Sequence, residues 1–428
     1  MTATPEIPVA PGAARCLGVL DMRAVAQPLT DDDLRGALDR AMWEGGAAGS
    51  VFDRVRPGEN TCVVVSDHTR QTAADRILPV LVEGLCGRGC RLQDISILIA
   101  SGIHRRSRPE EIRKILGSRI AAEFEGRIHL HDPDDASMLA PVGATPRGHE
   151  VCINRRAVEA RRLILIGGVG YHYHAGFTGG RKSLVPGLAA RATIAYNHSL
   201  TLDPEEDRIR SGVGVGRLDG NAVAEEMLAA ARLRPPDFIV NSVLAPDGGI
   251  AGVFAGDMNR AHRAACRLAG TLYRVELSET ADFVVAFTES LNWIQSHKAL
   301  FNASRAVHEA GGRIVLAAPC REGIGDDRFR HWVTQPSVEA IYRGLREAPE
   351  VLGQTALSTR LRGERTVLVT EMSAKDAADL GIETAPDLES AIARTLRHLG
   401  PATGRLPAYY VMPHAHHTVP FGLEPLTP

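Results

Sequence analysis

His172, His174 and Lys182 lie within GYHYHAGFTGGRKSLVPG, residues 170–187, directly after the apolar run LILIGGV. Two imidazoles and a primary amine can act as proton carriers, a metal ligand and a nucleophile. Five glycines surround them. Glycine adds no core volume and costs backbone entropy, so such a cluster marks a tight turn or a close approach to a ligand. Three further segments carry chemically versatile side chains: SDHTR (66–70), SGIHRR (101–106) and ESLNWIQSHK (289–298). His198, in AYNHSL, follows Lys182 by sixteen residues.

Each segment also has a plainer reading. Asp67 and Thr69 suit a helix N-cap, although the loop could instead cradle an anion through backbone N–H groups and Arg70. His104 could be a surface-turn histidine, Gln295 and Lys298 the solvated start of a helix, and His198 a structural helix residue. His414, His416 and His417 in MPHAHH look metal-like, yet without carboxylate or cysteine company they read as a surface or hinge feature. Cys86 and Cys90 lack the partner cysteines of a metal site. GGRKS echoes the end of a phosphate-binding loop, but its glycine spacing is wrong.

The elements that would position these residues follow from the apolar pattern. TCVVVSD, DISILIASGIH, RIHLHDPDD, RRLILIGGVG and PDFIVNSVLA read as strands. QTAADRILPVLVEGLCGRG, RPEEIRKILG, RATIAYNHSL and NAVAEEMLAAARLR read as helices. A second cycle starts near residue 280: ADFVVAFTES, GRIVLAAPC, RTVLVTEMS and AYYVMP as strands, with HKALFNASRAVHEAG, SVEAIYRGLRE and DLESAIARTLRHLG as helices. TVPFGLEPLTP reads as a Pro-rich tail. Such alternation predicts two α/β domains with mostly parallel sheets, residues 1–275 and 276–428, and an active site in the crevice between them. In open α/β sheets ligands gather at the carboxyl ends of strands, where all four segments fall.

Composition narrows the class. The chain has 428 residues, 44% hydrophobic and 23% charged, with 49 basic and 51 acidic side chains and a formal charge of −2. That balance gives no electrostatic footprint for nucleic acid or an anionic membrane. Seven scattered cysteines fit free thiols in a reducing compartment. With no signal-peptide pattern and no apolar run of about 18 residues, the expectation is a cytoplasmic protein.

Taken together, these residues resemble the nickel-dependent 2-hydroxyacid racemases, a lactate racemase-like family. The resemblance runs from about Thr61 to Lys298 by motif and onward by domain pattern. It implies an isomerase that carries nickel pincer nucleotide (nickel pyridinium-3,5-bisthiocarboxylic acid mononucleotide) tethered to a lysine, and cofactor-biosynthesis proteins as partners. By resemblance, Asp67, His68, Thr69 and Arg70 form the loop that holds the cofactor phosphate, and Arg70 also borders the substrate. His104 and His172 correspond to the paired acid/base histidines, Lys182 to the tethering lysine and His198 to the protein ligand of nickel. Gln295 and Lys298 correspond to substrate contacts, and GNAVAEEM (220–227) to a further family segment. The glycines would then let the backbone lie against a flat cofactor. His172, ten residues before Lys182, has the family spacing; His174 has no catalytic part.

The implied chemistry avoids a carbanion. A histidine takes the hydroxyl proton while C2 gives up hydride, and the planar 2-keto acid is reduced on its other face. An ordinary histidine pKa of about 6.5 suits such reversible transfer. Ile294 stands where lactate-specific members carry tyrosine, Arg181 where a smaller residue is expected, and His297 adds bulk beside Lys298. These departures point to a 2-hydroxy acid other than lactate. Two alternatives remain: a nicotinamide-type oxidoreductase of hydroxy acids, disfavoured because no GxGxxG follows a strand, and a non-catalytic nickel/nucleotide-binding protein.

Overall fold

Strands covered on both faces read as unbroken apolar runs, and the centre of the larger sheet is built from four of them. In the computed structural model, which describes residues 6–23, 25, 27–400 and 405–422, the chain divides into two compact units. One comprises residues 24–203 and 208–271. The other joins residues 1–23 and 204–207 to residues 272–428.

In the first unit, β1 (Thr61–Ser66) leads through a loop into α1 (Ala74–Gly87), followed by β2 (Ile95–Ala100) and β3 (Arg162–Gly168). Then come α2 (Arg191–Ser199), α3 (Ala222–Leu233), β4 (Phe238–Leu244) and α4 (Met258–Tyr273). The eight-stranded sheet runs Ala48–Gly49, Ala41–Met42, Ile250–Gly256, β4, β3, β1, β2 and Ile128–Leu130. The pairs β4/β3, β3/β1 and β1/β2 are parallel. Val63, Val65, Ile97, Ile99, Ile164, Ile166, Phe238 and Val240 form the middle of its core. From β1 the chain moves outward through β2 and returns to β3 on the opposite side of β1, so the loops after β1 and β3 diverge at a switch point.

The second unit holds a six-stranded parallel sheet in the order Arg15–Val19, β6 (Ala408–Met412), β5 (Phe283–Phe287), Arg313–Ala317, Thr366–Val369 and Glu383–Ala385. After β5 comes α5 (Trp293–Ala303). Its Trp293 is fully buried and donates to Thr359 Oγ1 at 3.1 Å, anchoring the first turn. Among the described residues no helix is long and apolar enough to cross a membrane.

The expected α/β class with mostly parallel sheets is the observed one, and several boundaries move for local reasons. α1 begins at Ala74 rather than Gln71, because Ala73 sits in the left-handed region (φ 51°) and Thr72 O accepts from Ser242 Oγ at 2.7 Å. α5 starts earlier than HKALFNAS suggests, since Asn292 Oδ1 caps the Gln295 N–H at 3.1 Å. α4 has no counterpart in the sequence reading. Its buried face is made largely of small side chains (Ala261, Ala264, Ala265, Ala269) around His262. TVPFGLEPLTP is not simply a tail: Val419–Phe421 pairs in parallel with Arg274–Glu276, while residues 423–428 lie outside the described ones.

The end of β3 has no room for a side chain. A Cβ at Gly168 would lie 2.6 Å from Gln71 O, a backbone atom that cannot swing aside. Gly168→Ala should therefore lose about 1–3 kcal/mol of stability by forced overpacking. Urea unfolding measures this, and an unchanged midpoint would contradict the close approach.

Candidate active site

The loop after β1 is organised around a buried carboxylate. Asp67 is 1% exposed, and its Oδ1 accepts from the Thr69 hydroxyl at 2.7 Å and from Thr69 N–H at 3.2 Å. Its Oδ2 lies 2.7 Å from His104 Nδ1, on the turn after β2. The Thr69 hydroxyl, already donating to Asp67, can only accept from His104 Nδ1 at 3.2 Å. His104 Nδ1 is therefore the donor, and the neutral ring carries its lone pair on Nε2. Burial pushes the Asp67 carboxyl upward. The charge and hydrogen bond of His104, the Thr69 bond and the Arg70 charge outweigh it and leave the pKa at about 2.

The anion cradle expected here is not formed by these amides. Thr69 N–H is spent on Asp67 Oδ1 and Arg70 N–H on Asp67 O at 3.2 Å. Both Asp67 oxygens are engaged by the protein, and a carboxylate repels phosphate. His68 Nδ1 sits 3.1 Å from Ser107 Oγ and 3.7 Å from Glu111, and burial lowers its pKa. The exposed Arg70 guanidinium is the group of this loop suited to an anion.

The glycine segment folds onto the protein itself. Tyr171–His172 pairs antiparallel with Gly176–Phe177. His172 Nδ1 accepts two backbone N–H groups, from His174 at 3.2 Å and Ala175 at 3.0 Å. Asn221 caps α3 through Oδ1 and donates through Nδ2 to the His174 carbonyl at 2.7 Å, which explains the GNAVAEEM segment. His174 is buried and serves His172 through its main chain. Gly180 N–H donates to Asn241 Oδ1 at 2.9 Å. A Cβ at Gly176 would strike Arg217 O, one at Gly179 would meet Asn241 Oδ1 at 2.7 Å, and one at Gly187 would meet Ser183 O at 2.4 Å. These glycines are required by protein contacts, a reason the sequence alone did not contain.

Lys182 is half-buried beside two deeply buried histidines. His198, on α2, donates from Nδ1 to Ile194 O at 2.8 Å, so the lone pair of its neutral ring is on Nε2. Burial, then the Lys182 charge, pull its pKa to about 4. His262, on α4, lies under Gly180, with Nε2 2.9 Å from Thr178 O and Nδ1 3.2 Å from Arg181 Nη1. Arg181 is 4% exposed and turned onto His262. Sequence reasoning did not single out His262, Asn221 or Asn241, because nothing in their local spacing marks them.

The His104 turn is joined to the lysine segment. Gly102 N–H donates to Gly187 O at 3.0 Å. Between them stands His131, 1% exposed: Ser101 Oγ donates to its carbonyl at 2.9 Å, and its Nε2 meets Ala189 O at 3.1 Å. The first unit thus contributes Asp67–Arg70, His104, His172, Lys182 and His198. Gln295 and Lys298 belong to the other unit, on the first two turns of α5. There His297 is buried with Nδ1 2.8 Å from Ile294 O. The MPHAHH segment is not a loose surface feature: Asn302 Nδ2 holds Ala415 O at 2.8 Å and His414 Nδ1 lies 2.9 Å from Asp21. Burial, the Lys298 charge and His414 lower the His417 pKa.

Residues 6–209 match the model of the lactate racemase N-terminal domain. Lactate racemase of Lactiplantibacillus plantarum is 35% identical over 281 residues, 64% of each chain. The chain thus resembles lactate racemases. The lactate racemase of Thermoanaerobacterium thermosaccharolyticum is 28% identical over 392 residues, covering 88% of this chain and 89% of that one. The lactate racemase apoprotein structure from that organism superposes with a TM-score of 0.82 at 24% identity over 95% of both chains. A Thermotoga maritima protein structure gives 0.69 at 18% identity, covering 92% of this chain and 99% of that one. The alignment spans 64% of the Lactiplantibacillus relative's length, less than two thirds.

Asp67 sets a pH dependence whose sign is fixed. A carboxyl whose folded pKa is about 2 against an ordinary 3.8 stabilises the fold above roughly pH 4, and the contribution is lost as pH falls through about 2. Asp67→Asn should be less stable at neutral pH by about 2 kcal/mol, from a shift of roughly two units at 1.36 kcal/mol each. Urea unfolding should show the gap to the parent narrowing below about pH 4. A gap independent of pH would assign the loss to packing instead.

Proposed function

We propose that this chain is a racemase or epimerase of 2-hydroxy acids that works with nickel pincer nucleotide tethered at Lys182. The observation that carries the reading is His104, its Nδ1 held 2.7 Å from a buried carboxylate so that Nε2 is ready to accept a proton. Similarity to lactate racemases supports the reaction class.

The residues fit the cofactor. His198 has the form of a metal-ligating imidazole, neutral, with Nδ1–H on a backbone carbonyl and the lone pair on Nε2. Among the described residues no group of three or more His, Cys, Asp or Glu side chains could hold a metal ion. Nickel held at His198 would need further ligands from the cofactor. Lys182, beside His198, supplies the amine for the tether, and Arg70 the cation for a phosphate or a substrate carboxylate. When bound, the cofactor accepts hydride from C2 and returns it.

The chain's own groups handle the proton and the substrate. His104 Nε2 takes the hydroxyl proton as C2 becomes a planar keto carbon, and Asp67 stabilises the imidazolium that forms. His172 serves the opposite face of the acid. Gln295 and Lys298 are assigned the substrate carboxylate by the family resemblance. Arg181 is turned onto His262 and His297 onto the Ile294 carbonyl, so neither favours a second carboxylate. Ile294 presents an aliphatic surface, and each CH₂ of substrate buried there gains about 0.8 kcal/mol. The substrate class is an aliphatic 2-hydroxy acid larger than lactate.

Two experiments test the proposal. In protein from a host that makes the cofactor, Lys182→Ala should abolish the covalent adduct in intact mass and the activity, whereas His198→Ala should keep the organic adduct and lose nickel. An adduct surviving in the Lys182→Ala variant would refute the tether, and unchanged nickel in the His198→Ala variant would refute the ligand. Racemisation by holoenzyme should be compared for lactate, 2-hydroxybutyrate, longer homologues and malate. The highest kcat/KM is expected for a homologue longer than lactate, and a maximum at lactate or malate would overturn the substrate class.

A further inference from the structure

His104 and His172 are held in opposite ways. His104 Nδ1 faces the acceptors Asp67 Oδ2 and Thr69 Oγ1, so it bears the proton and Nε2 the lone pair. His172 Nδ1 faces only donors among these contacts, the N–H groups of His174 and Ala175. A backbone N–H cannot accept, so Nδ1 must carry the lone pair, and the neutral ring bears its proton on Nε2.

The source of this difference is Asn221. Its Nδ2 donates to His174 O at 2.7 Å and to Arg217 O at 3.0 Å, and its Oδ1 caps α3 at Val223 and Ala224. One amide thereby pins the 172–175 turn to a helix start and aims two N–H groups at one imidazole nitrogen. Gly176 is pressed against Arg217 O, and Gly216 N–H meets Gly176 O at 3.0 Å, so the turn has no slack on that side.

We propose that Asn221, acting through the His174 carbonyl, is a positioning residue that fixes His172 as the Nε2–H tautomer, so that the two site histidines are built unequal: His104 a ready acceptor, His172 a ready donor. This rests on the proposed roles of the two histidines. His104 accepts the hydroxyl proton without rearrangement. His172 offers hydrogen to a substrate oxygen, and it accepts a proton at Nε2 only once Nδ1 has released its two N–H partners. A protonated His172 in the same turn would set Nδ1–H against two N–H groups, which carries the cost of unmade and opposed hydrogen bonds.

The test is a tautomer measurement on cofactor-free full-length protein with ¹⁵N-labelled histidine at about pH 8, above an ordinary histidine pKa of about 6.5. His104→Gln and His172→Gln assign the signals in long-range ¹H–¹⁵N spectra. His172 should show a protonated Nε2 and a bare Nδ1, and His104 the reverse. Asn221→Asp keeps a good N-cap oxygen for α3 but replaces the Nδ2 donor with an acceptor that repels His174 O. It should convert His172 from a single tautomer to a mixture and leave His104 unchanged. Asn221→Ser, which also caps but lacks the amide donor, gives the same readout if the aspartate variant fails to fold. A protonated Nδ1 on His172 in the parent, or an unaltered His172 pattern in a folded Asn221 variant, would overturn the proposal. The spectra are independent of turnover, so an inactive holoenzyme with the expected tautomers would defeat the racemase reading and leave this one standing.

Discussion

The seating of residues 178–182 on the floor made by β4 and α4 is the contact on which the rest of the site depends. Gly180 N–H reaches Asn241 Oδ1, Thr178 O meets His262 Nε2, and Arg181 turns under the segment onto the other nitrogen of the same ring. Gly179 and Gly180 are in the left-handed region and flush against Asn241 and His262, so the segment cannot be raised by even one methyl group. Lys182 is positioned as a consequence. The chain then continues to Gly187 and Ala189, whose carbonyls receive Gly102 N–H and His131 Nε2. A disturbance of the floor would therefore reach the His104 turn through main-chain bonds before it reached any substrate.

Charge is distributed in keeping with this. Asp67 is buried against His104 and also lies within the field of the Arg70 guanidinium. On the lysine side the buried Arg181 is partnered with a neutral ring rather than a carboxylate, and burial lowers its pKa to about 10. One side of the site thus stores a negative charge beside His104, while on the other the Lys182 charge acts on the His198 ring.

Much of this architecture was legible in the sequence because the larger sheet's core strands are covered on both faces. Unbroken runs such as CVVV, ISILIA and LILI have little choice but a buried parallel sheet, and they place residues 66–70, 101–106 and 170–187 at its carboxyl end. What the pattern could not convey was the reason for the glycines. Whether Gly176 faces a ligand or Arg217 O depends on residues some forty positions away, and a local window holds no record of them. The same holds for His262, set in the small-residue face of an alanine-rich helix, and for Asn221, which looks like an ordinary cap until its second amide atom is followed to His174. Asp67 stood out in the sequence but its bond to His104 did not, since that contact joins two different strand ends.

Three buried histidines stand around the site, each with one ring nitrogen on a main-chain carbonyl: His131 on Ala189, His198 on Ile194 and His262 on Thr178. Burial is the largest cause of their lowered pKa values, about 4, 4 and 3. The choice of residue follows from geometry. A rigid neutral ring supplies one donor and one acceptor on opposite edges, so it can grip a carbonyl and still present a lone pair, to Asn154 in His131 and to Arg181 in His262. The arrangement has a cost in acid. Below an ordinary pKa of about 6.5 the unfolded chain takes up protons that these rings refuse, so stability falls with decreasing pH until the folded rings also titrate. The sign is common to all three, which couples integrity of the lysine segment, the His104 turn and α2 to the same neutral state. The site keeps its shape while all three rings stay neutral, and it loosens in acid as the unfolded chain takes up the protons they refuse.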